Sequence, residues 1–215
     1  MAHLDLWKQR LGVVPEAVWD RVDLETLVLA DNGLTEISAK ISNLRRLRML
    51  DLGHNALVHL PEALGELENL TDFLYLHDNR LSALPRSIAR LTRLRYLNIS
   101  GNAFTTLPVE ICELAHLVEL RALDNQIASI PDAIGRLSRL RELHLRNNAL
   151  TTLPETIGRL TELRQLDLRG NPLETLPATL AELPALDKLD LRWTPSFEPP
   201  AWLSTLEARG VLVYR

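Results

Sequence analysis

Leu47-Arg48-Met49-Leu50-Asp51-Leu52-Gly53-His54-Asn55-Ala56-Leu57 returns farther along the chain as Leu140-Arg141-Glu142-Leu143-His144-Leu145-Arg146-Asn147-Asn148-Ala149-Leu150. Both stretches read L-x-x-L-x-L-x-x-N-x-L and run on into x-x-L-P-x-x-I/L-x-x-L. Units with this phase begin at residues 1, 24, 47, 70, 94, 117, 140, 163 and 186. The step is 23 residues except in the unit at 70, which has 24. Self-similarity at such a period marks a stacked array in which each unit is one supersecondary element.

Seven full units, 24–185, carry seven apolar positions each; of these 49 positions, 47 are Leu or Ile, the exceptions being Phe104 and Ala122. Side chains alternate along a strand, so the leucines of L-x-L point to one side and the residues between them to the other. One unit cannot bury its own apolar row, whereas stacked units make a continuous core. An asparagine recurs as Asn32, Asn55, Asn79, Asn102, Asn125, Asn148 and Asn171. A buried amide must have its two donors and its acceptor satisfied. Stacked at one repeat spacing, this ladder can bond backbone groups of its own and of the adjacent turn, and it reads as structural. Prolines 61, 85, 108, 131, 154 and 177 follow the last inward leucine on the strand side. There they set φ where a missing N–H is tolerated.

The rest of the composition agrees. Leucine accounts for 48 of 215 residues, against 9 glycines, 10 aromatics and one cysteine, with a net charge of −4. This balance is that of a folded globular chain, not a disordered, collagen-like or disulfide-held one. The charge argues against a nucleic-acid partner, and no apolar run reaches the 18 residues that a membrane span would need. Cys112 stands alone, and the first residues show no secretory signal. A cytoplasmic location is therefore expected, with secretion by a signal-less route as the alternative. The sequons Asn69-Leu70-Thr71 and Asn98-Ile99-Ser100 read as chance within a repeat rich in Asn, Ser and Thr.

The chain resembles the leucine-rich repeat family over essentially its whole length. Its 23-residue L-P-x-x-I unit is similar to the intracellular Ras-group type and to bacterial relatives. The resemblance implies an α/β fold: a right-handed, horseshoe-shaped solenoid with a concave parallel sheet and convex short helices or 3₁₀ turns. A single domain of residues 1–215 is expected, with 1–23 as an N-terminal cap, 24–185 as seven repeats and 186–215 as the last repeat plus a C-terminal cap. All four tryptophans, Trp7, Trp19, Trp193 and Trp202, lie in the two end units.

Function is then expected on the outward strand positions, because the core is only scaffold. With strands about 4.8 Å apart, Met49, Phe73, Tyr75 and Tyr96 are expected to form one exposed cluster. Beside them come Asn98, Arg121, His144 and a column of Arg146, Arg169 and Arg192, ending at Trp193. Asp167 and Asp190 are expected to pair with that column across strands. The extra residue of the unit at 70 suggests a bulge that re-aims Phe73, and Ala122 implies either a small cavity or a local strand shift. His54, His77, Asp31 and Asp78 could approach one another, but they read as solvated polar residues. No metal and no cofactor is expected. The phosphate-binding, metalloprotease and nucleophile-elbow motifs are absent. The reading is a monomeric, non-enzymatic scaffold that binds a protein partner on its concave face, with no nucleic acid and no membrane. The alternative is the recognition module of a larger bacterial effector-like or signalling system that acts with a separate enzymatic component.

Overall fold

The computed structural model describes residues 2–194 and 197–215. Ten short strands form one all-parallel sheet in sequence order: β1 (Ala2–Asp5), β2 (Leu24–Val28), β3 (Met49–Asp51), β4 (Phe73–Tyr75), β5 (Tyr96–Asn98), β6 (Glu119–Arg121), β7 (Glu142–His144), β8 (Gln165–Asp167), β9 (Lys188–Asp190) and β10 (Leu212–Tyr214). From β3 to β9 each strand occupies the third to fifth positions of its unit, the extra residue of the unit at 70 being left out of the count. The fourth-position leucines 50, 74, 97, 120, 143, 166 and 189 pair in an unbroken row. Parallel neighbours need a crossover connection. Here each crossover from β1 to β9 is a 3₁₀ turn, from Glu16–Val18 through Ala178–Glu182, so the structure is a solenoid with the sheet on one side and the turns on the other.

Proline opens these turns in every unit but one. Pro61, Pro85, Pro108, Pro131, Pro154 and Pro177 sit one residue before a turn with φ between −56° and −71°. In the unit at 24, Ser38 takes the place, and its hydroxyl accepts the Lys40 N–H at 3.2 Å. The core lies between sheet and turns. All 49 repeat positions are buried, most of them completely, and full burial of one leucine side chain contributes about 1.5–3 kcal/mol.

The asparagine ladder works as its spacing implies. Asn102 donates from Nδ2 to the carbonyls of Leu76, Ile99 and Ser100, and its Oδ1 accepts the Leu81 N–H at 2.9 Å. Asn32, Asn55, Asn79, Asn125, Asn148 and Asn171 repeat this pattern on their own units and the units before them. In the unit at 186, Thr194 stands in for asparagine and donates to the Leu191 carbonyl.

One expectation changes, and one alternative is removed. The extra residue of the unit at 70 is absorbed just before β4, not within it. Asp72 donates its N–H to the Arg48 carbonyl while the Thr71 carbonyl accepts from Arg95, so two residues face one on either side. Phe73 keeps regular register between Met49 and Tyr96 and is not re-aimed. At Ala122 the strand does not shift either: its N–H donates to the His144 carbonyl at 2.9 Å, and the side chain is fully buried.

The end units diverge from the array. Trp19 is buried in the core, whereas Trp7 and Trp193 are 55% and 66% exposed. After Trp202 the chain forms helix α1 (Leu203–Ala208), then returns as β10, which pairs with β9. Among the described residues, no helix is long and apolar enough to cross a membrane.

Candidate functional site

Strand register brings the outward residues of neighbouring units side by side. Phe73 and Tyr96 are directly paired, as are Tyr75 and Asn98. The three aromatic rings form one patch: Phe73 stacks on Tyr75 at 5.9 Å, and Tyr96 lies 5.5 Å from Phe73 and 5.1 Å from Tyr75. Met49, paired with Phe73 across β3 and β4, extends it. Phe73 is 43% exposed, with the tyrosines half-buried beside it. Burial pushes the Tyr96 phenol up to about 12 and raises that of Tyr75. The sheet needs no aromatic here, since the core lies on its other side.

Next to the patch lies a compact polar group. Glu119 and Glu142 are directly paired across β6 and β7. Like charges opposed across strands repel, and the repulsion is offset from both sides. Arg121 Nε donates to Glu119 Oε1, and His144 Nε2 lies 3.1 Å from Glu142 Oε2 and 4.0 Å from Glu119 Oε1.

The arginine column pairs differently from the expected cross-strand pattern. Arg169 makes two hydrogen bonds to Asp167 (2.9 and 2.6 Å) and Arg192 two to Asp190 (2.9 and 2.8 Å), each within its own unit. The cross-strand contact is Arg169 to Asp190 at 3.6 Å. A two-residue spacing along a strand places both side chains on the same face, and that proximity wins. Arg146 reaches Asp124 at 3.4 Å. Trp193 lies 5.8 Å from the Arg169 guanidinium and 5.7 Å from that of Arg192. Tyr214 of β10 lies 5.2 Å from Arg192. Tyr214 was missed as a face residue. Its signal was the alternation Val211-Leu212-Val213-Tyr214, which repeats the strand pattern.

Asn98 has a local task. Its Oδ1 accepts the Ser100 N–H at 3.0 Å, the same turn-closing bond that Asp5, Asp51, Asp167 and Asp190 make two residues on. The eighth position of each unit carries a backbone feature that the apolar pattern does not show. In fact Lys8, Asp31, His54, Asp78, Gly101, Asp124, Asn147, Gly170 and Trp193 all have φ between +51° and +66°. Only Gly and, less readily, Asn or Asp adopt this left-handed conformation routinely. Their recurrence at this position was the available signal.

Of His54, His77, Asp31 and Asp78, three come together. His54 Nδ1 lies 3.2 Å from Asp78 Oδ2, and the rings of His54 and His77 are 4.8 Å apart. Asp31 turns away, 3.6 Å from Lys8. Burial pushes the His77 imidazole below its ordinary value. Cys112 is buried on the turn side, where desolvation raises its thiol to about 11. Such a thiol is unreactive.

Comparison with known proteins agrees with this architecture. The leucine rich repeat model matches in overlapping segments, 1–57, 22–74, 73–127, 124–173 and 138–195. Among solved structures, the chain is similar to the leucine-rich repeat domain of the type III effector XopL (25% identity, TM-score 0.86, covering 99% of this chain and 75% of that one). It is also similar to a leucine-rich repeat protein from Leptospira interrogans (28%, 0.78, 95% and 64%). A third is the Arabidopsis thaliana receptor kinase ectodomain GASSHO1/SCHENGEN3, solved in complex with CASPARIAN STRIP INTEGRITY FACTOR 2 (32%, 0.80, 94% and 25%). The chain thus spans about two thirds of the Leptospira chain and a quarter of the receptor ectodomain. No curated protein matches by sequence.

Proposed function

Because this chain belongs to the leucine-rich repeat family, we propose that it is a non-enzymatic recognition module that holds a protein partner against the open face of its sheet. The observation that carries the reading is the patch of Phe73, Tyr75 and Tyr96, three rings in mutual contact on a face that has no core to fill. Large rings with a polar tip are favoured anchors at protein interfaces, and a contiguous exposed apolar patch marks contact. Met49 widens the anchor. Arg121, His144, Arg146, Arg169 and Arg192 fall to one side of it, with Asn98 between, and would set register and orientation. Trp193 would close the far end. All four arginines are already paired with carboxylates, so they offer directed donors rather than free charge.

The solved neighbours support a binding role: the Arabidopsis ectodomain was solved in complex with CASPARIAN STRIP INTEGRITY FACTOR 2. A second reading, the recognition module of a larger effector-like system, is favoured by the similarity to the XopL domain. The test is to capture partners with the wild-type chain and with the Tyr75→Ala/Tyr96→Ala variant, then to measure affinity for the purified partner. Losing two anchors is expected to weaken binding by more than about 1 kcal/mol, roughly fivefold. Unchanged affinity would move the site elsewhere.

A further inference from the structure

The turns that follow β3 and β4 bring His54, His77 and Asp78 into one cluster at the edge of the aromatic patch. Each residue offers one donor atom, and the three atoms all lie within 4.8 Å of one another. Atoms around one tetrahedral zinc ion, at bond lengths of about 2.0–2.2 Å, stand ~3.4 Å apart. The pair His54 Nδ1 and Asp78 Oδ2 is already at 3.2 Å. The third donor lies within 4.8 Å of these two, and the side chains of His54 and Asp78, both exposed, have room for the rotation that closing the shell would need.

The setting of His77 is an independent observation. Its nitrogen-bearing edge lies over Gly53, where a Cβ would stand only 2.8 Å from both ring nitrogens. The seventh position of the unit at 47 is glycine, and the imidazole occupies the space that its missing side chain leaves. Nδ1 of that ring is shielded from solvent, yet it has no hydrogen-bond partner among the described residues. A buried polar atom without a partner calls for an explanation, and a cation supplies one. Asp51, whose Oδ1 accepts the Gly53 N–H at 2.9 Å, adds negative charge nearby.

We propose that His54, His77 and Asp78 form a site for a divalent transition-metal ion, with zinc as the occupant that the donor set favours. Two imidazoles and one carboxylate suit zinc and similar borderline ions better than calcium or magnesium, which take all-oxygen shells. Three protein ligands leave a coordination position open. The Tyr75 ring is 6.0 Å from His77, so that position opens beside the aromatic patch. The other His-carboxylate group on this face, Glu119, Glu142 and His144, is a poorer candidate. Arg121 is bonded to Glu119 and would repel a cation.

The test uses the chain without a histidine tag, cobalt(II) as a spectroscopic probe and zinc(II) in calorimetric titration. The variants are His54→Gly, His77→Ser and Asp78→Asn. Each puts in a residue that already occupies the same place in another unit, as Gly101, Ser100 and Asn147 do. All three are therefore expected to keep the metal-free melting midpoint. One equivalent of cobalt should give visible d–d bands that zinc abolishes, and each variant should weaken zinc binding at least tenfold. Absence of cobalt bands would overturn the proposal. So would undiminished zinc affinity in the His54→Gly/His77→Ser double variant, or a loss of binding confined to His144→Gln.

Discussion

The carboxylate of Asp78 leans over Gly101 in the next unit so closely that a Cβ on Gly101 would fall inside the van der Waals envelope of Oδ1. The same relation joins Asn147 to Gly170. Both glycines hold the left-handed conformation, with φ +62° and +66°. Two separate costs therefore meet in any larger residue, the left-handed backbone and the clash. Gly101→Ala and Gly170→Ala should each destabilise the fold by about 1–3 kcal/mol. Asp124→Gly, at the same position with φ +52°, should change stability by less than about 0.5 kcal/mol, because the backbone term then favours glycine. Urea denaturation of the three variants checks this, and equal losses in all three would refute the backbone half of the argument.

Removing one ladder amide should cost more. Asn102→Ala leaves a backbone N–H and three carbonyls without their side-chain partner. At about 1–3 kcal/mol for a buried unsatisfied group, a loss of at least about 3 kcal/mol is expected in chemical denaturation. Asn102→Asp should fare little better, since a carboxylate cannot donate. A loss below 1 kcal/mol would mean that backbone and water satisfy the turn unaided.

Phe104 and Ala122 are the two repeat positions that are neither Leu nor Ile. They fall in consecutive units, and both are completely buried. We expect them to compensate in volume. Phe104→Leu should open a cavity and Ala122→Leu should overpack, each costing about 1–3 kcal/mol. The double variant should recover at least half of the summed loss. Additive losses in the double-mutant cycle would show that the two sites are independent.

Asp190 makes stability depend on acid. Burial alone would raise its carboxyl, but hydrogen bonds from the side chain and backbone of Arg192 outweigh that and hold it below the usual range. Its folded value is thus lower than its unfolded one. The stability it contributes is present above an unfolded value of about 3.9 and is lost as pH falls through the folded value. Asp190→Asn should lower the melting midpoint at neutral pH and flatten the decline below about pH 4. A parallel decline in both proteins would assign the acid sensitivity elsewhere.

Tyr96 acts at the other end of the scale. Its phenol is pushed up to about 12, first of all by burial. The neutral form is favoured in the folded state, so this contribution is intact below an unfolded value of about 10 and is lost as pH rises toward 12. Absorbance titration should show one late phenolate step that Tyr96→Phe removes, and persistence of that step would reassign it.

The sequence by itself determined the unit, its phase, the buried leucines, the asparagine ladder and the proline-led turns. Each of these rests on local chemistry repeated many times: a two-residue alternation, a fixed φ, an amide that must be satisfied. It also placed Phe73, Tyr75 and Tyr96 together, because strand spacing follows from the repeat length once units stack. Tertiary structure decided what depends on direction and distance between particular side chains. The extra residue at 70 is taken up before β4, where Asp72 pairs with Arg48 of the unit before and Thr71 with Arg95 of the unit after, so Phe73 stays in line. Arg169 and Arg192 choose the aspartate two residues back, since that carboxylate shares their face and is nearer than most cross-strand alternatives. Tyr214 joins the face only because α1 returns the chain to the sheet. His54, His77 and Asp78 meet because Gly53 leaves space for an imidazole. A repeat pattern states which residues are neighbours; rotamers, left-handed turns and missing side chains decide which of them touch.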